Sequence, residues 1–93
     1  MKSISLESVV YRTNEIVASD IDKDTVMMSI KNGKYYGLND IGSRIWELLE
    51  NPISVLNLCR ILTKEFEVKE NQCHIDVIEF LNILRDEKLI SLR

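Results

Sequence analysis

The chain has 93 residues, of which 45% are hydrophobic and 29% are charged, and its formal net charge is −3 at pH 7. This composition is typical of one globular domain over residues 1–93 and excludes an intrinsically disordered chain. The acidic balance argues against a strongly basic nucleic-acid-binding protein. The apolar runs are too short for a membrane span, and the N-terminus lacks the apolar core of a signal peptide. We therefore expect a cytoplasmic protein.

The N-terminal third predicts strands. Ile4 to Tyr11 alternates loosely between apolar and polar side chains, which indicates a first strand, and Glu15 to Ala18 indicates a shorter fragment. Thr25 to Lys31 alternates more regularly, so that its odd-numbered and even-numbered side chains point to opposite faces of a strand.

A hairpin and its return strand follow. Asn32-Gly33 predicts a type I′ turn, in which both central residues have positive φ. The turn leads into Lys34 to Leu38, a short strand rich in aromatic residues. Asn39 or Asp40 then offers a side-chain oxygen to the free N–H groups of a new helix.

Three helices are predicted after this strand. The first runs from about Asp40 to Leu49, with Trp46 as a core anchor and Gly42 in its first turn, where close packing against the sheet would explain a glycine. The second begins near Ser54, a good N-cap residue. The third runs from about Glu70 to Glu87, and a short strand-like tail closes the chain.

The third helix is apolar on two adjacent faces, which indicates contact with more than one neighbour. One stripe contains Ile75, Ile78 and Leu81. The second is offset from it and contains Cys73, Val77, Phe80 and Leu84. The second stripe is therefore available to a partner or to the sheet.

Catalytic and metal sites are poorly supported. The single histidine, His74, follows Cys73, and neighbours on a helix point about 100° apart, so the two do not form a nucleophile–base pair. The two cysteines, Cys59 and Cys73, lack the close pairing typical of zinc sites and fit buried thiols in a reducing cytoplasm. We therefore expect no enzyme activity, no metal and no cofactor.

A DNA-binding regulator is an alternative, because a small antiparallel sheet with three helices is the composition of a winged helix-turn-helix domain. A recognition helix should present basic and amide side chains to DNA. The third helix instead carries mainly carboxylates, among them Glu70, Asp76, Glu79 and Asp86. We expect no nucleic-acid partner.

The strand Lys34 to Leu38 leaves two interpretations open. An uncovered edge could accept an extended peptide as an added strand, with the second stripe of the third helix supplying a pocket. Alternatively, the N-terminal segment covers this edge, and Tyr35, Tyr36 and the third helix belong to the core.

The segment Lys34 to Leu49 resembles the PqqD family, also described as the recognition element for precursors of ribosomally synthesised and post-translationally modified peptides (RiPPs). The family pattern is Tyr-x-Leu-Asn, a Gly three residues after the Asn, and Ile-Trp-x-Leu-Leu. The matching residues are Tyr36, Leu38, Asn39, Gly42, Ile45, Trp46, Leu48 and Leu49. The resemblance covers about residues 25 to 92.

This resemblance implies a winged helix-turn-helix-like α+β fold, with a three-stranded antiparallel sheet and three helices. It also implies binding without catalysis: the leader of a precursor peptide lies as an added strand on Lys34 to Leu38, in a groove closed by the third helix. The expected peptide-binding residues are Lys34, Tyr35, Tyr36, Gly37, Leu38, Cys73, Val77, Phe80 and Leu84.

Stand-alone members of this length resemble two kinds of leader-binding chaperone. One kind belongs to lasso-peptide biosynthesis, and the other belongs to quinone-cofactor synthesis and serves a radical enzyme. We favour the lasso type. The implied partners are the precursor leader and a leader peptidase, cyclase or other modifying enzyme, with the chain as a monomer or weak dimer. The chain departs from the family at Lys69, where Asp is common. Because lysine cannot cap a helix N-terminus, Asn71 is the expected cap and the third helix should begin later.

Overall fold

The computed structural model describes residues 3–14 and 16–93, which form six strands and three helices. The strands are β1 (Val9–Arg12), β2 (Ile16–Ile21), β3 (Asp24–Ser29), β4 (Lys34–Leu38), β5 (Ile53–Ser54) and β6 (Ile90–Leu92). The helices are α1 (Asp40–Leu48), α2 (Val55–Glu65) and α3 (Glu70–Asp86). The expected α+β class, with three helices and a three-stranded antiparallel sheet, is confirmed, and the structure adds a second three-stranded sheet that was not expected. The likeness to a winged helix-turn-helix stays a prediction.

The strands form two antiparallel sheets. The hairpin sheet has the order β2-β3-β4, and the closing sheet has the order β5-β1-β6. The N-terminal strand begins at Val9, later than the expected Ile4, and joins the closing sheet. The predicted fragment near Ile16 is instead the full strand β2; Glu15, its expected first residue, lies outside the described residues.

The predicted type I′ turn is wrong. The loop between β3 and β4 has four residues, 30–33, because Ser29 pairs with Lys34. Gly33 has a φ of +66°, whereas Asn32 does not have positive φ, and the Gly33 N–H donates to the Ser29 carbonyl at 2.8 Å. A one-turn helical bend therefore replaces the tight turn, and only its last residue needs a left-handed conformation.

The predicted alternation of β3 is confirmed, and burial identifies its inner face. Thr25, Met27 and Ser29 are buried, whereas Val26 is exposed. Met27 is fully buried in the core cluster of the protein. The hairpin sheet thus packs one face on the helices and leaves the other uncovered.

The predicted caps of α1 and α2 are confirmed. The Gly42 N–H donates to Oδ1 of Asn39 at 2.9 Å, and the Asn57 N–H donates to the hydroxyl of Ser54 at 3.1 Å. Trp46 is 3% exposed, as expected of a core anchor, and the Arg12 guanidinium lies 5.4 Å above its ring.

Helix α3 begins at Glu70, so the prediction that Asn71 caps a shortened helix is wrong. Lys69 occupies the N-cap position with extended backbone, and its side chain makes no capping hydrogen bond. The Lys69 carbonyl nevertheless accepts the first intrahelical bond, from the Cys73 N–H at 2.8 Å. Backbone geometry and packing therefore set the start of α3 without a favourable cap.

The C-terminal tail closes the fold as the predicted strand. Lys88 has positive φ, and the Leu89 N–H reaches back to the Leu84 carbonyl at 2.9 Å, which is the Schellman ending of a helix. Leu89 and Ile90 are 0% and 3% exposed, so the turn delivers β6 into the core beside β1.

Candidate functional site

Strand β4 lies at an edge of the hairpin sheet. Only β3 pairs with it among the described residues, since β1 pairs with β5 and β6. The alternative in which the N-terminal segment covers this edge is therefore wrong. At the end of the strand, the Ser43 hydroxyl donates to the Leu38 carbonyl at 3.1 Å.

An apolar cavity of about 470 Å³ lies between the end of β4, the start of α1 and the middle of α3. Most of its lining side chains are aliphatic or aromatic. The lining residues are Gly37, Leu38, Asn39, Ile41, Gly42, Ile45, Asp76, Val77 and Phe80. A space of this size can receive a large apolar side chain next to the uncovered strand edge.

Gly42 keeps this cavity open. A Cβ atom at Gly42 would lie 3.3 Å from Oδ1 of Asn39, 3.4 Å from Cβ of Leu38 and 3.5 Å from Cζ of Phe80. Close packing was expected for this glycine, and the neighbours are the last residue of β4 and the aromatic ring of α3. A larger residue here would crowd the N-cap and narrow the cavity.

Glu87 ties the first half of β4 to the end of α3. The Tyr36 hydroxyl donates to Oε1 of Glu87 at 2.8 Å, and Nζ of Lys34 lies 3.4 Å from the same atom. The Asn32 amide donates to the Glu87 carbonyl at 2.7 Å. The Tyr36 hydrogen bond, followed by the charge of Lys34, lowers the pKa of Glu87 below its ordinary value of 4.5.

Asp76 gives the cavity a carboxylate. Its Oδ1 accepts a hydrogen bond from the amide of Gln72, one helical turn earlier, at 2.9 Å. Among the residues that line the cavity, Asp76 alone carries a charged side chain. The site therefore offers one acidic group beside an otherwise uncharged lining.

The structure distributes the predicted peptide-binding residues over four places. Gly37, Leu38, Val77 and Phe80 meet in the cavity. Lys34 and Tyr36 contact Glu87. Cys73 and Leu84 are 5% and 3% exposed in the core behind the cavity, and Tyr35 is 74% exposed on the outer face of the hairpin sheet.

Several cavity residues were not expected from the sequence. The expected peptide-binding residues included none from the first helix, yet Ile41, Gly42 and Ile45 line the cavity. Gly42 in a first helical turn was the available signal, because a helix interior disfavours glycine unless something approaches closely. No pattern in the sequence singled out Glu87 as the partner of Tyr36.

Both cysteines, Cys59 and Cys73, are buried. Burial, together with the neighbouring Cys73, raises the pKa of Cys59 to about 12, and burial also raises the pKa of Cys73. Such thiols stay protonated at neutral pH and are poor nucleophiles.

In the described part of the chain, no three His, Cys, Asp or Glu side chains are grouped so that they could hold a metal ion. No helix there is long and apolar enough to cross a membrane.

A family model and two solved structures are similar to this chain. Residues 24–90 match the model of the family described as coenzyme PQQ synthesis protein D (PqqD). The fold is similar to that of TbiB1 in complex with the TbiA(beta) leader peptide, at 28% identity and a TM-score of 0.81, covering 87% of this chain and 94% of that one. It is also similar to a lasso peptide synthetase B1 complexed with the leader peptide, at 23% identity and a TM-score of 0.77, covering 88% and 96%. Among curated proteins, no match was found.

Proposed function

This chain belongs to the PqqD family, and we propose that it binds the leader of a ribosomally made precursor peptide by strand addition, without catalysing a reaction. One observation carries the proposal: the edge of β4 has no strand partner among the described residues and lies beside an apolar cavity. An extended peptide fits the uncovered edge and the cavity together, because its backbone pairs with the edge and alternate side chains enter the cavity.

The proposed binding surface follows from the placement of the predicted residues. Lys34 to Leu38 supplies the backbone edge, and Val77 and Phe80 contact the side chain that enters the cavity. Cys73 and Leu84 shape the site from behind, where they fix the position of α3. Tyr35, on the outer face, contacts the peptide through its backbone.

The energies are sufficient for a useful but reversible interaction. A five-residue strand adds about four main-chain hydrogen bonds of about 1 kcal/mol each, and each buried apolar anchor adds roughly 1.5–3 kcal/mol. Ordering a flexible leader and losing its free tumbling costs several kcal/mol. With two or three such anchors the favourable contributions reach about 7–13 kcal/mol, and the balance after these costs corresponds to about micromolar binding.

We place this binding in lasso-peptide biosynthesis in the cytoplasm, the type favoured by the resemblance that the sequence shows over about residues 25 to 92. TbiB1 is similar to this chain in fold and is complexed with a leader peptide, and the match covers 94% of TbiB1. A bound leader places its precursor near a leader peptidase, cyclase or other modifying enzyme. Such tethering raises the effective concentration of the substrate without chemistry by the tether.

The test titrates a synthetic leader peptide of the cognate precursor against the protein by isothermal calorimetry. We expect micromolar binding by the native leader. A matched leader with N-methyl groups along the segment that pairs with β4 should bind at least about tenfold more weakly, because it cannot donate main-chain hydrogen bonds. A native leader that fails to bind at tens of micromolar contradicts the function, and equal affinity of the two leaders contradicts strand addition.

A further inference from the structure

Helix α3 has a second apolar surface, which lies outside the peptide cavity and borders the core at Ile78. It forms a shallow depression of about 660 Å³ with Leu6 of the N-terminal segment, and its lining residues are Leu6, His74, Ile75, Ile78, Glu79, Asn82, Ile83 and Asp86. We call these eight residues the outer face of α3. Ile75 and Ile83 are 58% and 56% exposed, so the apolar part of this surface is open to solvent.

Helix geometry separates this surface from the peptide cavity. Each residue advances the direction of the side chain by about 100°. Val77 and Leu81 point into the core, where they are 3% and 0% exposed. Ile75 and Asp86 therefore point to the opposite side of the helix, while Phe80 points sideways to β4. A partner on the outer face leaves the cavity accessible.

The outer face is acidic as well as apolar. Glu79 and Asp86 are the carboxylates of the outer face, His74 is its single imidazole, and no lysine or arginine lines the depression. The one arginine of α3, Arg85, lines a different cavity together with Lys88 and Ile90. Aliphatic side chains beside two carboxylates favour a binding partner of the opposite charge.

We propose that the outer face of α3 docks a segment of a partner protein that presents aliphatic side chains flanked by lysine or arginine. A second copy of this chain is disfavoured, because a symmetric contact would bring Glu79 and Asp86 against their own equivalents, and the whole chain carries a net charge of −3. The proposal concerns this surface alone and does not depend on leader binding at the cavity.

The experiment uses two fluorescein-labelled helical peptides that share a leucine face and differ at the flanking positions, which carry lysine in one peptide and glutamate in the other. Fluorescence anisotropy should show the lysine peptide binding at least about tenfold more tightly. The double variant Ile75→Asp/Ile83→Asp should abolish this binding. The matched control Ile21→Asp, at an isoleucine of β2 that is 61% exposed, should leave it unchanged.

Charge reversal provides an independent measurement, since Glu79 and Asp86 are exposed and their replacement leaves the core intact. The variant Glu79→Lys/Asp86→Lys should reverse the preference, so that the glutamate peptide binds more tightly. Equal binding of both peptides by the wild type, or unchanged binding by the isoleucine variant, overturns the proposal. Self-association that disappears in the isoleucine variant, measured by sedimentation equilibrium, also overturns it, because the occupant is then a second copy.

Discussion

At the scale of single residues, Glu87 links the parts of the site. Its carboxylate accepts from Tyr36 and lies near Lys34, and its carbonyl accepts from Asn32. All three partners belong to β4 or to the turn before it, whereas Glu87 follows the last residue of α3. Two of the three contacts that join β4 and its preceding turn to the end of α3 therefore depend on one carboxyl group.

This dependence predicts a loss of stability in acid. A carboxyl group whose pKa is lowered in the folded state stabilises it fully above the ordinary value of 4.5, and this contribution disappears as the pH falls through the lowered pKa. In urea unfolding from pH 7 down to about pH 3, Glu87→Gln should lose less stability than the wild type. The control Glu67→Gln, at an exposed residue, should follow the wild type; a Glu87→Gln curve parallel to the wild type would contradict the link.

Substitutions at Phe80 and Trp46 should affect two different quantities, the affinity for the leader and the stability of the fold. Phe80 lines the cavity and is half-buried, so Phe80→Ala should weaken leader binding by about tenfold or more while the protein stays folded. Trp46 is buried, so Trp46→Ala should lower the free energy of unfolding by about 3–5 kcal/mol. Calorimetric titration and urea unfolding measure the two effects, and unchanged leader affinity in the Phe80 variant would show that the peptide does not use this cavity.

At the scale of elements, α3 contributes to both of the proposed binding surfaces. Its core side holds Val77 and Leu81, one flank meets the peptide cavity through Phe80, and the outer face carries exposed isoleucines. A helix used on three sides tolerates little displacement. Its ends are nevertheless unequal, since the C-terminus has a Schellman ending and the N-terminus lacks a side-chain cap.

The uncapped N-terminus predicts a stabilising substitution. Lys69 holds the N-cap position with extended backbone, and its positive charge opposes the dipole of α3. Lys69→Asp should therefore raise the free energy of unfolding by about 1 kcal/mol in urea. The matched control is Lys64→Asp, which makes the same charge change in the last turn of α2 and should destabilise; a gain in both variants would indicate a general charge effect instead of a cap.

At the scale of the whole molecule, the closing sheet joins distant parts of the chain. β1 lies between β5, which follows α1, and β6, which follows α3. Backbone bonds from Arg12 to Leu49 and from Thr13 to Leu89 reinforce this junction at 3.0 and 2.9 Å. The hairpin sheet and the cavity rest on helices that the closing sheet holds in place.

The closure predicts that the C-terminal tail is needed for stability. Leu89 is fully buried, so Leu89→Ala should lower the free energy of unfolding by about 2–5 kcal/mol. The exposed Ile83 is the control, and Ile83→Ala should cost less than about 1 kcal/mol. Urea unfolding followed by circular dichroism measures both, and equal losses would contradict a role for the tail in the core.

Local sequence determined the helices, the N-caps of α1 and α2, and the existence of β3 and β4. Asn39 and Ser54 cap their helices through contacts within three residues, and the alternation of β3 is read along a single strand. The family pattern around Tyr36 and Trp46 indicated the family, which the match over residues 24–90 confirms. These features depend on neighbours in the chain, so periodicity and residue type suffice to predict them.

The tertiary structure decided which strand joined which sheet and what each side chain faces. β1 pairs with β6 across almost the whole chain, and Glu87 meets Tyr36 across 51 positions. The sequence also could not divide the apolar stripe of α3 into Phe80 in the cavity and Cys73 behind it. Such outcomes depend on how separate elements pack, because a helical stripe specifies its own direction but not the surface that it meets.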